Sequence, residues 1–118
     1  MSEDRVVIKI REIVGRNCVL HEDGKRAHAR FAKALESNVA IIELDFTGVD
    51  VITATALNFF IGDIPLHYTR KELHERVRVT NIGHHGNDLR AVIDNAFGYF
   101  EKQKLGRTNN ESRKQSSF

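Results

Sequence analysis

One cysteine, one proline, one methionine and no tryptophan are spread over 118 residues. A lone thiol, Cys18, excludes an intrachain disulfide and any Cys-x-x-Cys metal or redox pair, and it suits a reducing compartment. With no tryptophan and two tyrosines, a core has to be built from aliphatic side chains and the seven phenylalanines. Long hydrophobic runs are missing as well: nothing approaches the roughly 18 apolar residues of a membrane span. The charged start MSEDRVVIKIREIVG lacks the apolar stretch of a secretory signal, so the expected location is the cytoplasm and no membrane contact is expected. An excess of one charge is also lacking, since 18 Lys and Arg stand against 16 Asp and Glu. The tail from Arg107 onward holds three basic residues and one acidic residue, which leaves the first 106 residues balanced at 15 against 15. A basic footprint for nucleic acid is therefore absent, and no nucleic-acid partner is expected.

What is present is a 41% apolar chain of one-domain length,. Residues 5–14 (RVVIKIREIV) alternate and are β-branched, which predicts a strand. Residues 15–17 predict a turn, and 18–20 a short strand returning as a hairpin. From Asp23 the period becomes helical, with Ala27, Phe31, Ala34 and Leu35 on one side and Lys25, Arg26, Arg30 and Lys33 on the other, ending at Ser37 and Asn38. Residues 39–46 (VAIIELDF) form the most apolar run and predict a central strand buried on both faces. After a turn at 47–50 the chain continues inward through Val51 and Ile52. A second helix then starts at Thr53, with Leu57, Phe60, Ile61 and Ile64 as its stripe, and ends or bends before Pro65. Following a polar stretch, residues 76–82 predict an edge strand. Leu89, Val92, Ile93, Ala96, Phe97 and Phe100 mark the clearest amphipathic helix. The expected architecture is α/β, a mixed sheet of about four strands with three helices packed largely on one side. Residues 1–104 make up the domain, and 105–118 a polar tail expected to be disordered.

The run LDFTGVDVIT at 44–53, followed by ATALNFFIGDI, resembles the STAS-like bacterial domains of unknown function, and the upstream EDGKRAHARFAKAL is similar to the first helix of that family. The resemblance spans residues 5–100. These domains resemble in turn the anti-sigma-factor antagonists, in which a serine at the start of the helix after the central strand is phosphorylated by a histidine-kinase-like ATPase, releasing the complex. The resemblance therefore implies a STAS-like fold and a regulatory protein-binding module whose partner is a histidine-kinase-like ATPase. The antagonist motif Asp-Ser-Ser-Gly-Leu falls on Thr53, Ala54, Thr55, Ala56 and Leu57, so the usual phospho-acceptor position is occupied by Ala54. The motif's leading Asp and its Gly are also replaced.

Independently of any relative, a helix start at 53–55 exposes unpaired N–H groups and a partial positive charge. Thr53 suits an N-cap. Thr55 lies in the first turn, where a phosphate would meet those N–H groups and add nearly two negative charges. Partner contact is expected at Thr47, Asp50, Thr53, Ala54, Thr55 and Asn58, with Thr55 and Thr53 as candidate phospho-acceptors. Asp45 is expected to bond turn N–H groups rather than to act as an acid or base.

Other chemistry is weakly supported. The six histidines, at 21, 28, 67, 74, 84 and 85, form no His-Glu-x-x-His spacing. A trio of Cys18, His21 and Asp23 is joined only by nearness in sequence. His84 and His85 read as an exposed turn before the last helix. Gly48, Gly62, Gly83 and Gly86 assemble no phosphate loop. No metal, no cofactor and no enzymatic activity are expected. Two further readings stand beside the binding module. One is a small-molecule or anion sensor, or enzyme, using the helix start at Thr53 to Thr55. The other is self-association through the 76–82 edge and LNFFIGDIPL, giving a monomer or weak homodimer.

Overall fold

The computed structural model of the chain describes residues 4–109, with side chains described from 4 to 100. Strand β1 (Arg5–Lys9) is followed directly by helix α1 (Ile10–Val14), and the chain turns at Gly15, whose φ is 81°. The predicted ten-residue strand is thus half strand and half helix. Alternation holds only to Lys9; beyond it Ile10 is buried and Ile13 and Val14 are half-buried, at the i, i+3, i+4 spacing of a helix face,. The short strand β2 (Asn17–Cys18) does not return as a hairpin. It runs parallel to β4 (Val51–Ile52), with Asn17 opposite Val51 and Cys18 opposite Ile52.

Helix α2 (His21–Glu36) buries Ala27, Phe31 and Leu35. Strand β3 (Ile41–Asp45) lies between β1 and the edge strand β5 (Val77–Thr80), and both pairings are parallel. The sheets are therefore parallel among the described strands, three strands plus two, and not mixed, because α1 prevents the hairpin that would have made them so. β3 is central as expected but is buried on one face only. Ile42 and Leu44 are buried, whereas Ile41, Glu43 and Asp45 are half-buried. The opposite face carries Arg5, bonded to Glu43 at 2.7 Å, together with exposed Val7, Lys9 and Arg78. A face with these residues needs no covering layer.

Helix α3 (Ala54–Ile61) buries Ala56, Leu57, Phe60 and Ile61. Phe60 stacks on Phe31 at 5.2 Å and meets Phe46 edge-on at 6.4 Å, so an aromatic cluster ties α2, α3 and the end of β3 together,. Pro65 does not merely end α3. It is buried in the first turn of a new short helix, α4 (Ile64–His67), where a missing N–H is tolerated,. The polar stretch that follows is helix α5 (Arg70–Arg76). Its start is a reciprocal cap: the Thr69 N–H donates to Glu72 Oε1 at 2.7 Å and the Glu72 N–H donates to Thr69 Oγ1 at 3.0 Å,.

Arg76, at the end of α5, donates to the carbonyls of Leu35, Ser37 and Val39 at 3.1, 3.1 and 2.9 Å. Those carbonyls belong to the end of α2 and the link into β3, so one guanidinium closes the turn between them. A 3-10 turn (Gly83–His85) leads into helix α6 (Gly86–Asn109), which buries Leu89, Val92 and Phe97. The backbone of α6 runs five residues past the expected domain end at 104; residues 110–118, the rest of the expected tail, lie outside the described residues. The core lies between the Ile8, Ile42 and Leu44 face of the sheet and helices α2, α3 and α6, giving two layers,. Among the described residues no helix is long and apolar enough to cross a membrane.

Candidate functional site

Two helix starts lie side by side because the strands that lead into them are paired. From β2 the chain passes through Val19 and Leu20 into α2, and from β4 it passes through Thr53 into α3. The start of α2 is fixed by Asp23, whose Oδ2 accepts the N–H groups of Val19 and Leu20 at 3.2 and 3.0 Å, while Oδ1 accepts from Arg26 at 2.7 Å. Asp23 is the one buried charged side chain among the described residues, 6% exposed. Burial alone would raise its carboxyl, but the Leu20 and Val19 N–H groups and the Arg26 guanidinium outweigh burial and hold it below the ordinary value,.

The start of α3 is fixed by Thr53. Its hydroxyl accepts the Ala56 N–H at 3.2 Å and donates to the Val19 carbonyl at 3.1 Å, and its own N–H donates to the Cys18 carbonyl at 3.0 Å. The two helices then touch at backbone level. A Cβ on Gly24 would run into the Ala56 carbonyl oxygen and come within 2.8 Å of Phe59 Cβ. Only glycine permits this approach.

Facing away from the core, Ala54, Thr55, Asn58 and Phe59 are exposed. Their spacing puts them on one side of α3, opposite buried Ala56, Leu57, Phe60 and Ile61. Three large apolar side chains on this face and on the segments leading into α2 and α3 are not taken up by the core: Phe59 at 41% exposure, Leu20 at 58% and Val51 at 45%. The Phe59 ring lies 5.4 Å from the His21 ring and has Lys25 Nζ 5.4 Å from its centroid, which ties the first turn of α2 to this face. Apart from Phe59, LNFFIGDIPL exposes Leu66 as its large apolar residue, while Leu57, Phe60, Ile61, Ile64 and Pro65 are buried. The two candidate phospho-acceptors differ sharply. Thr53 is half-buried with its hydroxyl used twice; Thr55 is exposed and makes no side-chain hydrogen bond among the described residues.

Thr47 and Asp50 form a separate rim at the end of β3. Asp45 Oδ1 accepts the Thr47 hydroxyl at 2.6 Å, the Thr47 N–H at 3.0 Å and Asn81 Nδ2 at 3.0 Å. Those donors, the Thr47 hydroxyl and Asn81 foremost, hold the Asp45 carboxyl below its usual value, in keeping with a turn-bonding role. Asn81 adopts φ 61°, a left-handed conformation that asparagine tolerates, which places its amide on Asp45,. Asp50 Oδ2 takes a two-pronged contact from Arg16 at 2.9 and 2.7 Å. His85 Nε2 lies 3.3 Å from the Asp50 carbonyl oxygen.

Arg11 packs directly over Gly48, whose φ is 83°. Arg11, Arg16 and His85 therefore belong to this rim although sequence reasoning missed them. All three are remote in sequence from 47–50, and no local pattern pointed to them. His85 is also not the exposed turn residue expected, with its side chain 14% exposed, whereas His84 is exposed. The six expected contact residues thus fall into three settings: Ala54, Thr55 and Asn58 on an open helix face, Thr53 half-buried as its cap, and Thr47 and Asp50 on a hydrogen-bonded, ion-paired rim joined to the helix by β4.

The Cys18, His21 and Asp23 trio is not assembled as a ligand set. Cys18 is buried, Asp23 is occupied by backbone N–H groups and Arg26, and His21 is exposed beside Glu22 and Phe59. Among the described residues no three His, Cys, Asp or Glu side chains are placed to hold a metal ion. The Thr53 hydroxyl, already shared between the Val19 carbonyl and the Ala56 N–H, has no donor left for an anion at the α3 start.

A family model of STAS-like domains of unknown function (DUF4325) matches residues 23–87, from the first turn of α2 to the first turn of α6. The matched span contains Asp23, the start of α3 and the 47–50 part of the rim with His85, while Leu20, His21, Arg11 and Arg16 precede it. No curated protein and no solved structure matches the chain.

Proposed function

We propose that this chain, which belongs to the family of STAS-like domains of unknown function, is a regulatory protein-binding module rather than an enzyme. It docks its partner through the outer face of α3 together with the first turn of α2. One observation carries this reading. Phe59, on the outer face of α3, and Leu20 and Val51, on the segments that lead into α2 and α3, are large apolar side chains at 41, 58 and 45% exposure, and the polar members of the α3 face, Thr55 and Asn58, make no side-chain hydrogen bonds among the described residues. An apolar patch edged by unengaged polar groups on a rigid support is the composition of a protein contact site.

The partner class follows from the resemblance to anti-sigma-factor antagonists and is a signalling ATPase of the histidine-kinase-like type. The usual phospho-acceptor position is Ala54, so a switch of that kind would have to act one residue on, at exposed Thr55. A phosphate there would place nearly two negative charges in the middle of the contact face and weaken docking. Thr47 and Asp50 lie beside this face and contribute to its polar margin.

The test is co-purification from the native host with the full chain as bait, comparing wild type with Asn58→Arg and Thr55→Glu. Retention of an ATPase by wild type and its loss with both variants is the expected result. A partner set indifferent to both substitutions overturns the reading.

A further inference from the structure

A cavity of about 240 Å³ lies between the sheet and helices α3, α5 and α6, away from the docking face. Leu44 and Val77 form its floor and Phe60, Leu73, Ile93 and Phe97 its walls. Apart from Arg70 and His74 the lining is apolar, which favours an apolar occupant over water,. Arg70 and His74 also line it, four residues apart and so on one side of α5, and none of its lining residues is acidic,.

The Arg70 guanidinium lies 4.9 Å from the centroid of the Phe97 ring, and its Nη1 donates to Asp94 Oδ1 at 2.6 Å. Both members of that ion pair are about half exposed, at 48 and 57%. Such a pair contributes little to stability and exchanges partners readily. The remaining donors of the fork have no partner among the described residues and are free for a second anion.

We propose that this cavity binds a small amphiphilic carboxylate, with its apolar body between β5, α5 and α6 and its carboxylate on Arg70. Scaled from an apolar cavity of about 150 Å³ that takes one benzene, the volume suits a body of about ten carbon atoms. The head group is a monoanion because Asp94 already supplies one negative charge beside the single arginine; a dianionic phosphate would add repulsion there. A planar carboxylate matches the fork in two-point geometry. The site is independent of the docking face, since α3 gives it Phe60 and Ile61 while Thr55, Asn58 and Phe59 point outward.

The test is methyl NMR on the full chain, titrated separately with decanoate, 2-naphthoate, decanol and decyltrimethylammonium. Saturable shifts at the methyls of Leu73, Val77 and Ile93 with at least one of the two acids are expected, and the better acid tells whether the body is an acyl chain or an aromatic ring. Decanol should bind about tenfold more weakly than the acid, the worth of one charge-assisted hydrogen bond. Arg70→Gln, a change at an exposed side chain, should remove that preference, and Leu73→Phe should fill the space and abolish binding. The proposal is overturned if neither acid gives saturable shifts at millimolar concentration, if decanol or the ammonium binds as tightly as the acids, or if Arg70→Gln leaves the preference unchanged.

Discussion

Thr53 and Val19, 34 residues apart, are joined by a 3.1 Å hydrogen bond in which the threonine hydroxyl donates to the valine carbonyl. The threonine Oγ1 also accepts the Ala56 N–H. Thr53→Val keeps the shape and removes both bonds, losing a cap worth about 1 kcal/mol and leaving a half-buried carbonyl unpaired, for a total loss of about 2 kcal/mol. Thr53→Ser should recover most of it, and Thr55→Val should change stability by less than about 0.5 kcal/mol. Urea denaturation of the three variants checks the ordering. A Thr55 variant as damaging as the Thr53 one would contradict this division of roles.

Gly24→Ala sets two effects against each other. Helix propensity favours alanine by about 1 kcal/mol. The added methyl, however, meets the Ala56 carbonyl oxygen and Phe59 Cβ, which are not free ends of flexible chains. Overpacking should win, with a net loss of about 2 kcal/mol. Stabilisation on substitution would mean that α2 and α3 are further apart than described.

Arg76→Met retains much of the side chain's bulk and deletes three donations to the Leu35, Ser37 and Val39 carbonyls. The expected loss in denaturant midpoint corresponds to about 2 kcal/mol, in the range of hydrogen bonds to charged groups. Arg76→Lys should recover only part, because one ammonium cannot span the three acceptors as a planar fork does.

The acid limb of the stability curve should depend on Asp23. Its folded-state carboxyl lies below the ordinary value of 3.8 because the backbone and Arg26 outweigh its burial. As pH falls, the unfolded chain takes up its proton first. The stabilisation is therefore complete above about pH 4 and is lost as pH drops through the lower folded value. Asp23→Asn should lower stability at neutral pH and flatten the curve as pH falls below about 4. The residual slope belongs to Glu43, lowered chiefly by the Arg5 and Thr80 hydrogen bonds, and to Asp45.

Cys18 offers a probe of opening. Burial, with the Asp23 charge adding to it, pushes its thiol up to about 11, so thiolate is scarce at neutral pH and the sulfur is shielded,. A maleimide at pH 7.5 should label the native protein slowly and label it readily in urea, following the unfolding curve. Rapid labelling without denaturant would show that the β2 and β4 pair opens on its own.

These residues also show what the sequence disclosed. VAIIELDF gave away the central strand because apolar, β-branched runs of that length have few other solutions, and α6 was legible from Leu89, Val92, Ile93, Ala96 and Phe97. The first fourteen residues misled because Val7 to Ile10 alternate like a strand while Ile10, Ile13 and Val14 repeat like a helix. Only the buried side of Ile10 decides between the two. The parallel pairing of β2 with β4 rests on two residues each and spans 34 positions of chain, so nothing local specifies it,. Helix α5 was legible in principle, since Thr69 and Glu72 spell a capping box ahead of it. At the site, the cap at Thr53 could be read from the helix start. Arg11, Arg16 and His85 could not, being brought to the rim by tertiary packing alone.

The missing side chain at position 24 reaches further than stability. Where two helices meet main chain to main chain, no cushion of rotatable groups lets one slide over the other, and the first turns of α2 and α3 must move as a single plate. Under the proposed docking, a partner landing on Phe59 would therefore find Leu20 and His21 already in position. Little ordering entropy would then be lost on encounter, so discrimination among partners would rest on shape and on which polar groups are left unmet.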